Sequence, residues 1–153
     1  MNVTMKKAAL WSVIGVGVFL LQSVISVGPM KLNLTLLLVY YAGLRRGELA
    51  GVAIGIPVGF LEDALSGGLI GPGMLGKGLV GILPAYLSEG FFIWTPILGM
   101  LAVFTLTVID ETVVYTSLAL FSQRPAPVLD FLALTLLKAS INAPFGWLLR
   151  TGK

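Results

Sequence analysis

Apolar residues run through this chain in long blocks separated by short polar or glycine-rich stretches, rather than alternating with polar residues as in a half-buried strand. A helix needs about 20 residues to cross roughly 30 Å of hydrocarbon. Six blocks approach that length, and they lie at 8–27, 30–44, 49–69, 74–88, 96–121 and 128–149. The pattern predicts an all-α, polytopic transmembrane bundle of about six helices, formed by one integral membrane domain over residues 1–153.

The block boundaries carry ordinary turn and kink signals. Glycines and Pro72 between 67 and 73 predict a turn, while Pro57 and Pro84 lie inside blocks and predict kinks. The blocks at 30–44 and 74–88 are short for a full span, so a count of four or five spans stays open if either is re-entrant.

A stripe of small residues crosses the second and third blocks. Every fourth position from Gly43 to Gly71 is glycine, except for Asp63. Residues four apart share a helix ridge, and helices in lipid associate closely at such ridges. We favour packing within the bundle over an exclusive partner face, although one ridge can serve both. The candidate packing or interface residues are Gly47, Gly51, Gly55, Gly59, Gly67 and Gly71.

Composition agrees with a membrane environment and removes several chemistries. Hydrophobic residues make up 57% of the chain and charged residues 11%, with a mean hydropathy of +0.97. Soluble domains are roughly 25% charged. The chain has no Cys and no His, which excludes thiol nucleophiles, imidazole bases and the usual zinc and haem ligands. We therefore expect no enzyme activity, no cofactor and no metal site.

The positive charges predict the orientation in the membrane. Cytoplasmic loops carry an excess of Lys and Arg. With both termini in the cytoplasm, the inner side collects Lys6, Lys7, Arg45, Arg46, Arg150 and Lys153. Arg45 and Arg46 then form a cytoplasmic loop, where simple topology signalling is favoured over contact with anionic lipid or a partner. The net charge of +3 is scattered, which argues against nucleic acid as a partner.

Charged residues inside the apolar blocks predict ion pairs. Adjacent helices joined by a short turn run antiparallel, so residues equidistant from the turn share a depth. Asp63 and Lys77 are equidistant from Ile70, and an unpaired charge in lipid costs several kcal/mol. We therefore expect a structural pair between them. Two other readings stay open, in which the lysines snorkel along their stems or the carboxylates form a proton or ion relay.

The same argument applies to the last two blocks. Asp110 and Lys138 are equidistant from Arg124, and Glu111 adjoins Asp110. We expect Lys138 to pair with either carboxylate, which would neutralise charge between these two helices.

The order of motifs between Pro29 and Gly90 resembles the MreD family of rod shape-determining membrane proteins. Its most specific part is the spacing of Gly59, Asp63 and Gly67, downstream of the Arg-Gly turn at 46–47. The motifs that carry the resemblance are Pro29-x-x-x-Asn33-Leu34, Leu36 to Tyr41, Gly43-Leu44-Arg45-Arg46-Gly47, Gly51, Gly55, Gly59-Phe60-Leu61-Glu62-Asp63, Gly67-Gly68-Leu69-Ile70-Gly71 and Lys77-Gly78-Leu79-Val80-Gly81.

The resemblance implies a non-enzymatic scaffold in the bacterial plasma membrane. Members of this family bind MreC and help couple the cytoskeletal MreB to the peptidoglycan synthase RodA and its class B transpeptidase partner. The resemblance therefore implies MreC, RodA with its transpeptidase, and membrane lipids as partners, in the maintenance of rod shape.

A transporter subunit is the alternative. MreD resembles the substrate-binding S components of energy-coupling-factor vitamin transporters in size, helix count and glycine-rich packing, so the expected bundle is S-component-like. Such a subunit needs polar groups around a small ligand at the outer side. The candidates here are Glu62, Asp63, Lys77 and Asp130. A lipid-modifying enzyme is a third class, for which the sequence has neither an aspartate-rich metal motif nor a histidine site.

Overall fold

The computed structural model describes residues 33–88, 95–121 and 127–149, together with 13–14, 17–18, 20–22, 26–27 and 30–31. The residues described between 13 and 22 are helical, and a two-residue antiparallel ladder pairs β1 (Ser26–Val27) with β2 (Met30–Lys31). Six helices follow: α1 (Leu34–Arg46), α2 (Glu48–Ser66), α3 (Pro72–Ser88), α4 (Pro96–Phe121), α5 (Val128–Asn142) and α6 (Phe145–Leu148). The described part of the chain is a helical bundle, which confirms the all-α prediction.

The turn between α2 and α3 is set by glycine and proline. The third apolar block predicts a helix to residue 69, but α2 ends at Ser66 because Gly67 adopts a left-handed φ of 67°. Helix α3 begins at Pro72, two residues before the predicted start. Proline fits the first helical position because the amide it lacks has no partner inside the helix.

Helix α1 is shorter than the block that predicts it. It starts at Leu34 rather than 30, since Met30 and Lys31 belong to the short ladder. The Asn33 side chain caps α1 by accepting a hydrogen bond of 3.1 Å from the Leu36 amide. The 13 residues of α1 span about 20 Å, less than the hydrocarbon thickness. Helix α1 alone is therefore too short to cross the hydrocarbon layer.

The last predicted block is interrupted, and the first differs from its prediction at its end. The block at 128–149 forms α5 and α6 with a turn at Ala143 and Pro144, because proline cannot continue the hydrogen-bond ladder of a helix. The predicted helix at 8–27 lies mostly outside the described residues, and Ser26–Val27 form a strand instead of its last turn. The block at 96–121 has the same bounds as α4.

Three segments are long and apolar enough to cross a membrane within the described residues. They are Glu48–Ser66, Pro96–Phe121 and Val128–Leu148, the last combining α5 and α6. Large apolar side chains lie exposed on these segments, including Leu49, Leu120 and Leu129. An apolar exterior of this kind suits a lipid environment, so the chain has the features of a transmembrane helical bundle.

Helix α3 lies at the centre of the described bundle. It contacts α1, α2 and α4, while α4 in turn contacts α5 and α6. The core between α1, α3 and α4 is apolar and includes Leu36, Val39, Tyr40, Val80 and Val103, each fully buried. We call the end of the bundle at Gly67–Gly71 the glycine-turn end, and the opposite end, at Arg45 and Arg46, the arginine end.

The stripe of glycines on α2, here called the glycine ridge, is the surface with which α2 packs on α3. A Cβ atom added to Gly51 would lie 2.7 Å from the Gly81 carbonyl carbon, and one added to Gly59 would lie 2.6 Å from the Met74 amide nitrogen. Real Cβ atoms essentially never approach other atoms this closely. The two backbones therefore touch directly, and the ridge is used for packing inside the bundle.

Replacing Gly55 by alanine should weaken this contact. Its Cβ would lie 2.9 Å from the Lys77 carbonyl carbon and 3.1 Å from Val39 Cγ1, so α2 has to move away from α3. We expect a loss of about 1–3 kcal/mol in unfolding free energy, measured by thermal unfolding in detergent. Gly78→Ala is the matched control, because its Cβ meets only Ile56 Cγ1 at 3.7 Å. Equal stability of the two variants would contradict direct backbone packing at Gly55.

Candidate functional site: a buried charge network

Lys77 carries the most deeply buried charge of the bundle. It lies on α3, its side chain is 2% exposed, and its ammonium is 2.9 Å from Glu62 Oε2 on α2 and 2.9 Å from Asp110 Oδ2 on α4. A buried ammonium needs such partners because its desolvation costs several kcal/mol. The three residues therefore link α2, α3 and α4 through the single ammonium group of Lys77.

Neutral side chains extend the network to the start of α1. The Asn33 side-chain amide donates to Asp110 Oδ2 at 2.9 Å, and the Thr35 hydroxyl bonds the Glu62 carboxylate. Gln22 donates to Glu62 Oε1 at 3.4 Å and accepts from the Thr35 amide at 3.0 Å. These contacts provide hydrogen-bond donors for both carboxylates at the depth where α1 begins.

The two oxygens of Asp110 have different surroundings. Oδ2 accepts from Lys77 and Asn33, whereas Oδ1 is buried without a hydrogen-bond partner among the described residues. Oδ1 faces Gly76, where a Cβ atom would collide with it, so glycine at this position makes room for the carboxylate. The network as described holds two carboxylates and one ammonium.

A cavity in the described bundle lies away from this network. It has a volume of about 340 Å³ and sits between α3 and the first half of α4. Its lining is almost entirely apolar and consists of Leu83, Tyr86, Leu98, Leu101, Ala102, Thr105, Leu106 and Ile109. The charged side chains of the network do not line it, so the cavity and the charges form separate features.

The expected pair of Asp63 and Lys77 is wrong. Asp63 instead accepts hydrogen bonds from the amides of Gly71 at 2.8 Å, Gly73 at 3.0 Å and Met74 at 3.4 Å, at the start of α3. The exposed amides and the positive end of the helix dipole hold this carboxylate. The neighbouring Glu62, about 100° further round α2, contacts Lys77 in its place.

Helices α4 and α5 contain one of the two alternative pairs that were predicted for the last two blocks. Lys138 on α5 lies 2.9 Å from Glu111 Oε1 and 3.0 Å from Oε2. Asp110, the other candidate partner of Lys138, faces a different side of α4 and contacts Lys77. The two adjacent carboxylates therefore serve different helices, because consecutive residues of a helix face directions about 100° apart.

The glycines of the predicted stripe divide into two groups. Gly51, Gly55 and Gly59 pack on α3, as does Gly43 on α1. Gly47, Gly67 and Gly71 lie at helix ends with φ values of 85°, 67° and 134°, and a Cβ there would meet nothing within 4 Å. These three allow the chain to turn rather than allowing helices to touch.

At the arginine end, the Arg45 side chain contacts an aromatic ring. The Arg45 guanidinium lies over the Tyr41 ring, 5.6 Å from its centroid. Arg45 and Arg46 close α1, where positive charge is favourable at the negative end of the helix dipole. The prediction that both arginines form a loop is therefore wrong: they belong to the last turn of α1, and Gly47 alone connects α1 to α2.

Several contributors to the site were not identified from the sequence. Gln22 and Thr35 are neutral residues outside any of the motifs, and Asn33 belongs to a motif but was given no role there. Nothing in the local pattern marks the three as partners of Glu62 and Asp110. The α3 side of the glycine contact, in contrast, could have been detected in the sequence. Gly73, Lys77, Gly81 and Ala85 repeat every four residues on α3, which is the same spacing as the ridge on α2.

Comparison with known proteins adds no identification. No family model, curated protein or solved structure matches the chain. Among the described residues, no group of three or more carboxylates is placed to hold a metal ion.

Removing the Lys77 charge should strongly destabilise the bundle. Lys77→Met keeps a similar volume but leaves the half-buried Glu62 and the buried Asp110 without their ammonium. We expect a loss of about 3–5 kcal/mol in unfolding free energy, measured by thermal unfolding in detergent. The triple variant Lys77→Met with Glu62→Gln and Asp110→Asn should recover part of that loss, because no uncompensated charge remains. No recovery in the triple variant would show that charge balance is not what the network provides.

Removing the Asp63 carboxylate should act locally, at the start of α3. In Asp63→Ala the amides of Gly71, Gly73 and Met74 lose their acceptor, and we expect a loss of about 1 kcal/mol. Hydrogen exchange at these three amides should accelerate. Ser66→Ala is the control, because the Ser66 hydroxyl bonds only the Asp63 backbone carbonyl and the variant retains the carboxylate. Unchanged exchange in Asp63→Ala would contradict the capping role.

Proposed function

We propose that this chain is a non-enzymatic membrane scaffold of the bacterial cell-elongation machinery, acting as members of the MreD family do. In this role it binds MreC and helps to position RodA and its class B transpeptidase partner for the synthesis of peptidoglycan. The proposal rests on the order of motifs between Pro29 and Gly90 and on the way the bundle uses its charges.

One observation carries the proposal. Charged side chains at membrane depth contact each other or backbone amides: Lys77 lies between Glu62 and Asp110, Asp63 caps α3, and the pair of Glu111 and Lys138 joins α4 to α5. Polar groups used in this way hold helices together. A bundle whose helices are held together by such polar contacts offers its partners a preorganised surface. Preorganisation lowers the conformational entropy lost on association.

The direct contact of α2 with α3 supports the same reading. Backbones that touch at Gly51, Gly55 and Gly59 leave little freedom for these helices to slide or separate. A scaffold benefits from such rigidity, because its partners must be held in a fixed relation to one another.

The proposed role carries a specific membrane topology. The protein would be a multi-pass component of the bacterial plasma membrane with both termini in the cytoplasm. The arginine end then faces the cytoplasm, in line with the excess of Lys and Arg expected there, and the glycine-turn end faces outward.

Co-isolation from native membranes tests the proposal. The tagged protein is extracted in mild detergent and its partners are identified by mass spectrometry. We expect MreC and RodA with the wild-type protein and with Gly78→Ala. Gly55→Ala should recover less of both, because its helix packing is disturbed. Recovery from all three is compared at equal amounts of tagged protein.

Two outcomes would overturn the scaffold proposal. Paired ATPases with a transmembrane coupling subunit would identify a transporter component instead. Absence of MreC and RodA from the wild-type preparation, when a second tagged elongation protein recovers them from the same membranes, would also reject it.

A further inference from the structure

The pair of Glu111 and Lys138 is more exposed than the pair of Lys77 and Asp110, and Glu111 is about as exposed as Glu62, whose side chain is 19% exposed. The side chains of Glu111 and Lys138 are 20% and 27% exposed, whereas Lys77 and its partner Asp110 are 2% and 3% exposed. The pair lies where α4 and α5 meet at the surface of the bundle. We call this surface, formed by Glu111, Lys138 and the nearby stacked rings of Tyr115 and Phe131, the α4–α5 rim.

The rim lies deep in the membrane. Glu111 is ten residues from the end of α4 at Phe121, and Lys138 is ten residues from the start of α5 at Val128. At the helical rise, each is about 15 Å from its helix end. That distance is about half of a hydrocarbon layer roughly 30 Å thick, so the pair sits near its middle.

The pair retains unused hydrogen-bonding capacity. The Lys138 ammonium has three donors and directs two hydrogen bonds to the Glu111 carboxylate. Within the described residues the third donor has no acceptor, and the two Glu111 oxygens accept from Lys138 alone. The buried network differs at its carboxylates, because Asn33, Thr35 and Gln22 supply these with additional donors, while the Lys77 ammonium also has two contacts.

Neighbouring hydroxyl groups do not serve this pair. The Thr112 hydroxyl donates to the Val108 carbonyl at 2.7 Å, and the Ser140 hydroxyl donates to the Leu136 carbonyl at 2.8 Å. Acyl chains offer no donor or acceptor at this depth, and lipid headgroups lie about 15 Å away. No further group among the described residues completes the pair, so a polar group on a partner's helix can do so.

Helix α5 leaves room for such a segment. It packs mainly on α4, and large apolar side chains on its other faces are exposed. These side chains are Leu129, Leu132, Leu134, Leu136 and Leu137. A second transmembrane helix laid along the rim could cover part of this apolar surface together with the ion pair.

We propose that the α4–α5 rim docks a transmembrane helix of a partner protein that carries an Asn or Gln near its centre. A carboxamide fits both halves of the pair, because its oxygen accepts from Lys138 while its NH₂ group donates to Glu111. The inference rests on the proposed scaffold function, to which it adds the docking face and the chemistry of the partner.

Energy transfer in vesicles tests the rim directly. The chain has no cysteine, so Leu129→Cys supplies a single site for a donor fluorophore on the full protein, in phosphatidylcholine vesicles. The acceptor is carried by a designed Leu/Ala transmembrane peptide with one central Asn, and by the same peptide with Leu at that position. An interhelical polar contact should make the Asn peptide associate roughly 3- to 30-fold more tightly. Equal association of the two peptides overturns the proposal.

Two variants separate docking from a purely structural role of the pair. The double variant Glu111→Leu with Lys138→Leu replaces the pair by apolar side chains and should remove the preference for Asn. Thr112→Val is the control and should retain it, since the Thr112 hydroxyl is satisfied within its own helix. A preference that persists in the double-leucine variant overturns the proposal.

A third variant covers the case in which the double-leucine protein does not fold. Glu111→Lys with Lys138→Glu keeps an ion pair, and a carboxamide can turn to meet the exchanged groups. This reversed pair should retain the preference for the Asn peptide, and its loss in a folded reversed variant counts against the rim.

Failure of this inference is distinguishable from failure of the scaffold proposal. If the double-leucine variant folds and still recovers MreC and RodA at wild-type levels, the scaffold stands and the rim is not its docking face. If the wild-type protein recovers neither while binding the Asn peptide selectively, the rim stands and the elongation role is rejected.

Discussion

The ammonium of Lys77 has to be neutralised in an interior that water does not reach, and this requirement determines where the central helices meet. Glu62 brings α2 to the charge and Asp110 brings α4, while Asn33 ties the first turn of α1 to Asp110. A displacement of any of these helices would leave a charge or an amide without its partner. One side chain thereby fixes the position of α3 relative to α2 and α4, and Asp110 connects α1 to the same site.

The glycine ridge and the charge network depend on each other. Gly55 lies against the backbone of Lys77 itself, so the residue whose side chain needs the carboxylates is also a point of closest helix approach. Close packing shortens the distance that Glu62 must span. The absence of a side chain at Gly73 similarly lets the Asp63 carboxylate reach the first amides of α3. Small residues thus determine which polar contacts can form.

The sequence was sufficient to predict the fold class, the glycine contact and the principle that buried charges find partners of opposite sign. It was not sufficient to assign every partner. Asp63 was chosen as the partner of Lys77 because the two residues are equally far from the turn. That criterion compares depth only and does not consider the direction in which a side chain leaves its helix. Glu62 is the residue that faces the lysine. The free backbone amides at the start of α3 also bind Asp63. A prediction based on side-chain charges alone does not consider backbone amides. Asn33 and Thr35 escaped prediction because neutral residues acquire such roles only from tertiary packing.

The contact between α2 and α3 is made largely by main-chain atoms, which has a consequence for how the sequence can diverge. A main-chain contact constrains the few positions where a side chain must be absent, together with the charges those positions bring together. On the lipid-facing surfaces, one aliphatic residue can replace another at little cost. During evolution such a protein would keep the sequence intervals between its glycines and charged residues while most other positions are substituted. Distant homologues would therefore be recognised by the spacing of these residues rather than by overall sequence identity.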